Sequence, residues 1–271
     1  MHGSSRGAAV DVERALDATL SSGIDRAGLA EDLFAVTGVL DGNASLRRAL
    51  ADPSGEPSAK KALAERLFGP RISSQALALV STAAACRWSD QRDFTDTLEA
   101  AAVASVLAKA EADGRVDKVE DELFRFERIV AANPELRDTL AIRNTDGKGK
   151  AALVSELLVG KAEPETIRLA EQAVQAPRGR RLDRVLENYL ALASKRRDQV
   201  TALVTVAAPL SEQQDARLRS QLEKHYGKTV TLQTVLDPDV LGGIRVQVGD
   251  EVIDGTISRR IDQARRHVTG S

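Results

Sequence analysis

The sequence predicts a mainly α chain ending in a small α/β domain: two tandem helical bundles of about six helices each, then a compact α/β sandwich. Three observations predict it. Aromatic residues make up only 3% of the 271 residues while Ala and Leu abound, a balance that favours helix bundles over β-sandwiches. The helical part repeats itself at an offset of about 90 residues. Past residue 198, apolar and polar residues alternate in short runs bounded by Gly, Pro and Asp, the pattern of half-buried strands.

The repeat pairs Leu33-Phe34 with Leu123-Phe124, Asn43 with Asn133, Leu46-Arg47 with Leu136-Arg137, and Leu50-Ala51 with Leu140-Ala141. It continues through Lys60 with Lys150, Ala62-Leu63 with Ala152-Leu153, and Leu67 with Leu157. A single offset held through Phe, Asn, Arg and Lys reads as a duplicated domain. The expected domains are therefore residues 1–105, 106–198 and 199–271.

The elements follow in order. Asp11 to Leu20 is amphipathic, with Val12, Leu16 and Leu20 on one face. Helices are expected over Leu29 to Leu40 and Leu46 to Ala51; Pro53, Gly55 and Pro57 then interrupt the chain. Helix resumes from Ser58 to Phe68 and stops at Gly69-Pro70. Ser73 to Cys86 is nearly all small and apolar, a central buried helix. Asp90 to Ala112 holds no Gly or Pro and can close the first bundle and open the second. Asp117 to Ala132, Pro134 to Ala141, Lys148 to Val159, Pro164 to Ala176 and Leu182 to Arg197 take the equivalent places, with Pro134 and Pro164 suited to first turns. In the tail, Val200, Ala202, Val204 and Val206 alternate as a strand, Ser211 caps a helix to Lys224, and Val230, Leu232 and Thr234 mark a second strand. Ile244, Val246 and Val248 face one side of a third strand, Gly249-Asp250 turns a hairpin, and Val252-Ile253 begin the return. Thr256 then caps a last helix with Ile257, Ile261, Ala264 and Val268 inward.

The sequence carries no recognisable catalytic constellation. Asp146-Gly147-Lys148-Gly149-Lys150 lacks the upstream glycine and trailing hydroxyl of a phosphate-binding loop, so a solvated interhelical turn is expected. Gly242-Gly243 through Gly249 has the wrong spacing for a dinucleotide site, and a strand follows it. His2, His225 and His267 are scattered, which offers no metal site. Cys86, the only cysteine, lies on an apolar helical face, and Trp88 follows a helix end to cover a bundle seam. Asp250 and Asp254 stand beside glycines in turns, where Asp serves local backbone hydrogen bonds. A net charge of −2 gives no reason to expect nucleic acid. No run of 18 apolar residues exists, so direct membrane insertion is not expected and the chain is read as cytosolic unless a partner carries it to a membrane.

Val235 to Arg260 reads VLDPDVLGGIRVQVGDEVIDGTISRR. This stretch resembles the C-terminal signature of the delta subunit of F-type ATP synthase, the family of the mitochondrial oligomycin-sensitivity-conferring protein. Its elements here are Asp237, Gly242, Gly243, Gly249, Asp250, Ile253, Asp254 and Gly255, with Thr256 where the family has Ser. The extra bundle resembles the long actinobacterial form. The resemblance implies a non-catalytic stator subunit without cofactor, peripheral at the cytoplasmic face of the plasma membrane. It would join the alpha/beta head to the peripheral-stalk b subunit. It implies a groove for the alpha subunit's N-terminal helix between the first and fifth helices, here Val12, Leu16 and Leu20 facing Leu79, Val80 and Ala83. It also implies a b-subunit contact at Arg259 and Arg260. The alternative reading is a nucleic-acid- or ribosome-associated adaptor that uses the basic C-terminal helix.

Overall fold

A computed structural model describes residues 3–141, 147–238, 240, 243–248 and 251–254. The chain forms two compact units, residues 1–196 and 197–271. The first is helical throughout the described residues, and the second carries the sheet.

In the helical unit, α1 runs Gly3–Leu20, α2 Arg26–Gly42, α3 Ala44–Ala51, α4 Pro57–Phe68, α5 Ser74–Ala85 and α6 Gln91–Ala112. Then come α7 (Val116–Ala132), α8 (Pro134–Ala141), α9 (Gly147–Leu158), α10 (Pro164–Gln175) and α11 (Leu182–Arg197). Local chemistry sets the starts. The Asp25 carboxylate accepts from the Gly28 N–H at 3.0 Å, and the Ser73 hydroxyl from that of Ala76 at 3.3 Å. The Asp90 carboxylate accepts from Arg92 at 2.7 Å, while Pro57 and Pro164 open α4 and α10, where a missing N–H costs nothing.

Two expectations are corrected. Gly147–Lys150, expected in a solvated interhelical turn, form the first turn of α9, with Lys150 only 6% exposed. α1 begins at Gly3, eight residues before the expected Asp11. Ser5 and Ala8 are buried in line with Val12, Leu16 and Leu20, so the inward stripe already runs through the Gly- and Ser-rich start. The Ser5 hydroxyl also accepts the Ser89 N–H at 2.9 Å, which ties this first turn to the approach of α6.

The helix bounds recur. α2 and α7, α3 and α8, α4 and α9, and α5 and α10 each begin and end 90 residues apart, as Arg26–Gly42 and Val116–Ala132 show. Contacts recur with them. The Ser73 N–H donates to Asp32 Oδ2 at 2.8 Å, and the Glu163 N–H donates to Glu122 Oε2 at 2.8 Å. Lys60 and Lys150, also equivalent, are 4% and 6% exposed. The boundary expected between residues 105 and 106 falls inside α6, and helices on both sides of it share one hydrophobic core. α6 packs against α1, α2, α3 and α5 and also against α7 and α10. Trp88 lies within this core at 1% exposure, its Nε1 donating to the Ala83 carbonyl at 2.8 Å and its ring meeting Phe94 edge-on at 5.7 Å. Cys86 is half-buried; its thiol reaches the Thr82 carbonyl at 3.3 Å, and burial pushes its pKa up, away from thiolate chemistry.

The second unit runs β1 (Gln199–Val206), α12 (Glu212–Tyr226), β2 (Thr229–Leu236), β3 (Ile244–Val248) and β4 (Glu251–Asp254). The sheet order is β2-β1-β3-β4, with β1 parallel to β2 and antiparallel to β3, and β3 antiparallel to β4. A full capping box starts α12: Gln214 N–H donates to Ser211 Oγ, and Ser211 N–H to Gln214 Oε1. Gly227 ends it at φ +65°, the left-handed conformation glycine takes most cheaply. Ala202, Val204, Val206, Leu222, Val230 and Val246 make the core, with Ile244 and Val248 half-buried against it. The predicted alternation of the third strand is therefore as observed.

Candidate functional site

Val12, Leu16 and Leu20 lie on the inward face of α1, and Leu79, Val80 and Ala83 on the inward face of α5. All six are core: Leu16 and Leu20 are 3% exposed and the others 1% or less. α1 and α5 pack against each other, and the structure brings these six residues into one cluster beneath their junction. The outward side of α5 has a different character. Beyond the exposed Gln75, Ala78 is exposed and Thr82 and Ala85 are half-buried, so small side chains line an accessible face of α5, a helix that packs on α1. A helix face without long side chains lets another helix approach closely. Periodicity could locate the inward face but could not tell core from groove floor, because both are apolar at the same spacing.

Of the C-terminal signature, Asp237 forms the turn after β2: its N–H donates to the Val206 carbonyl at 2.9 Å, and its own carbonyl accepts from Val240 at 3.2 Å. Gly243 sits at φ +94°, which a side chain would strain. Ile253 pairs with Val246 and Asp254 with Arg245 in the β3–β4 ladder. Gly242, Gly249, Asp250, Gly255, Arg259 and Arg260 lie outside the described residues, as does the proposed last helix.

A polar centre escaped the sequence reading. Glu99, on α6, is 3% exposed. Its carboxylate receives Arg180 Nη2 at 2.6 and 2.7 Å, the Tyr189 hydroxyl at 3.0 Å, and Arg178 Nη2. Arg178 also reaches Asp96 at 2.6 Å and adopts φ +53°, an uncommon conformation for a residue with a side chain. Burial first, then the Glu99 carboxylate, holds the Tyr189 phenol well above its ordinary pKa, so it stays a proton donor. In the sequence, Arg178, Arg180 and Arg181 stand together before a helix with no local sign of their distant partners. This centre fastens the 176–181 loop and α11 onto α6. Among the described residues, no group of three or more His, Cys, Asp or Glu is placed to hold a metal, and no helix is long and apolar enough to cross a membrane.

The comparisons with known proteins agree on a family. The model of the ATP synthase delta (OSCP) subunit family matches residues 100–268. The ATP synthase subunit delta of Streptomyces coelicolor is 47% identical over 269 residues, covering 99% of this chain and 98% of that one. That of Kineococcus radiotolerans is 45% identical over 259 residues, covering 95% and 94%. That of Streptomyces griseus is 44% identical over 271 residues, covering both chains completely. A solved Toxoplasma gondii mitochondrial ATP synthase hexamer matches at 20% identity with a TM-score of 0.29, covering 62% of this chain and 95% of the matched chain, too slight a likeness to bear on fold or assembly. With a family model spanning most of the chain and full-length relatives at this identity, the chain belongs to the ATP synthase delta (OSCP) subunit family.

Proposed function

We propose that this chain is a non-catalytic stator subunit that joins the alpha/beta catalytic head of an F-type ATP synthase to the b subunit of its peripheral stalk. It works at the cytoplasmic face of the plasma membrane and holds the head still while the rotor turns. Residues 1–105 and 106–198 are read as two copies of one bundle that share α6. The observation that carries the reading is the accessible, small-residue face of α5 beside α1, above the Val12, Leu16, Leu20, Leu79, Val80 and Ala83 cluster. An amphipathic helix, that of the alpha subunit's N-terminus, lies there, its apolar stripe over Ala78, Thr82 and Ala85. Arg259 and Arg260 contribute to the b-subunit contact.

The task asks for grip, not chemistry. A nanomolar joint corresponds to about 12 kcal/mol. A helix burying several Leu-sized side chains at about 1.5–3 kcal/mol each reaches that range after the cost of ordering it. The test is affinity purification of the tagged chain from detergent-solubilised membranes of its source, read by mass spectrometry. Alpha, beta and b subunits recovered in comparable amounts support the assignment. Recovery of ribosomal proteins or nucleic acid without those subunits overturns it.

A further inference from the structure

The two sets of helices present the same face differently. Gln75, Ala78 and Thr82 on α5 correspond, 90 residues on, to Glu165, Arg168 and Gln172 on α10. On α5 the row is accessible. On α10 it is closed: Glu165 is 4% and Gln172 6% exposed.

What closes it is α2, helped by the turn between α6 and α7. The Arg168 guanidinium lies over the Phe34 ring, 4.5 Å from its centroid. Its Nε and Nη2 fork onto Glu31 Oε1 and Oε2 at 2.5 and 2.9 Å, and its Nη1 reaches Gln172 at 3.1 Å. Arg115 Nη2 meets Glu165 Oε1 at 2.8 Å, with Lys109 Nζ 3.6 Å away. α2 also packs along α6, and α6 packs on α10 as α1 packs on α5. α2 thus packs along α6, with Leu33, Phe34 and Val36 buried, and meets α10 through Glu31 and Phe34.

We infer that α2 fills, in cis, the second copy's counterpart of the α1/α5 face, so that the chain accepts one amphipathic partner helix and not two. The inference rests on the reading of the α1/α5 face given above. The family match begins at residue 100, so the second copy is the one continuous with the tail, yet its face is the one already filled. The first copy carries Ala78 where the second has Arg168, and so lacks the cation that holds α2 in place. The substitution leaves room for a helix from another subunit and gives the equivalent surface of α7 in a second copy of the chain, Asp121 and Phe124, no arginine to grasp.

The test is calorimetric titration of the full chain with a synthetic peptide of the alpha subunit's N-terminal segment. One peptide per wild-type chain is expected, with affinity reduced by about tenfold or more in Ala78→Arg, which copies the second copy's residue onto the first. Two peptides per chain overturn the inference, as does unchanged binding in Ala78→Arg. Absence of any binding overturns the function proposed for the α1/α5 face and leaves the cis contact to a second measurement. That measurement is a double-mutant cycle of Glu31→Ala and Arg168→Ala in chemical unfolding followed by Trp88 fluorescence. Non-additive losses support α2 as the occupant of the α10 face, and additive losses overturn it.

Discussion

Glu99→Ala should destabilise the helical unit by about 4 kcal/mol, because it removes the buried carboxylate that two arginines and a tyrosine share. The side chains of Glu99 and Arg178 are 4% and 6% exposed, so neither group can turn to water when its partner goes. Breaking one partner of a buried ion pair costs about 3–5 kcal/mol. Two features of the site place the loss within that range. Arg178 keeps Asp96 at 2.6 Å, and Arg180, 24% exposed, can reorient toward solvent, which softens the loss. Against this, the Tyr189 hydroxyl loses its acceptor inside the core, a penalty of about 1–3 kcal/mol that does not simply add. Glu99→Gln keeps the shape and an acceptor for Tyr189, and should cost about 1–3 kcal/mol. Trp88 is the sole tryptophan and is buried in this unit, so urea unfolding followed by its fluorescence reports the helical unit alone and avoids averaging over two compact units. A Glu99→Ala loss below about 1 kcal/mol, typical of exposed pairs, would refute the reasoning. So would a Glu99→Gln loss equal to that of Ala, since shape rather than charge would then be what matters.

Two further outcomes are expected. Hydrogen bonds from Lys109 to Asp113 and from Lys118 to Glu163 hold both carboxylates below their ordinary values of 3.8 and 4.5. Their ionised form therefore contributes stability that is present above those values and is lost as pH falls through the lowered folded-state values. The difference in melting temperature between wild type and an Asp113→Asn/Glu163→Gln double variant should be largest near neutrality and close in acid; a pH-independent difference would contradict this. Ser211→Ala removes half of the α12 capping box and should cost the C-terminal unit about 1 kcal/mol, measured by circular dichroism on urea unfolding of that unit; no change would mean that water replaces the hydroxyl at no cost.

Much of this architecture was legible because single residues act locally. The strands of the tail follow from period-2 alternation, and the start of α12 from Ser211 as its cap. The repeat was visible because Phe, Asn, Arg and Lys recur at one spacing, and the helix bounds recur with them. What was not legible is pairing between distant residues of ordinary kinds. Nothing in the sequence joins Glu99 to Arg178 and Arg180, or Glu31 to Arg168, since any of these would pass for a solvated charge. Equally, no local signal separates Phe34, buried at 6%, from its repeat mate Phe124, exposed at 52%. The difference lies in what packs against each helix, and that is a tertiary fact. The start of α1 was missed for a related reason: Gly3 to Gly7 has poor helix propensity, and the contact of Ser5 with Ser89 overrides it.

The sequence of α6 follows from its shared position. A helix closing one bundle alone needs one apolar stripe; a helix that closes one and opens the next must bury most of its circumference. α6 buries Phe94, Leu98, Ala102 and Val106 together with Val103 and Leu107, which point to a roughly opposite side. Close packing on both sides favours Ala and Val, which explains the run from Ala100 to Ala108 that the sequence showed without an apparent face. Of its buried polar residues, Thr97, Glu99 and Ser105 bring their own partners, while the Thr95 hydroxyl has none among the described residues. Ser105 donates to the Ala101 carbonyl at 2.8 Å, Thr97 to that of Asp93 at 2.8 Å, and Glu99 receives two arginines and a tyrosine. Two bundles joined through such a helix cannot hinge at residue 105 without exposing apolar surface on both flanks. For the proposed stator joint, this shared helix means that α7 to α10 continue from α1 to α5 with no flexible linker under torque.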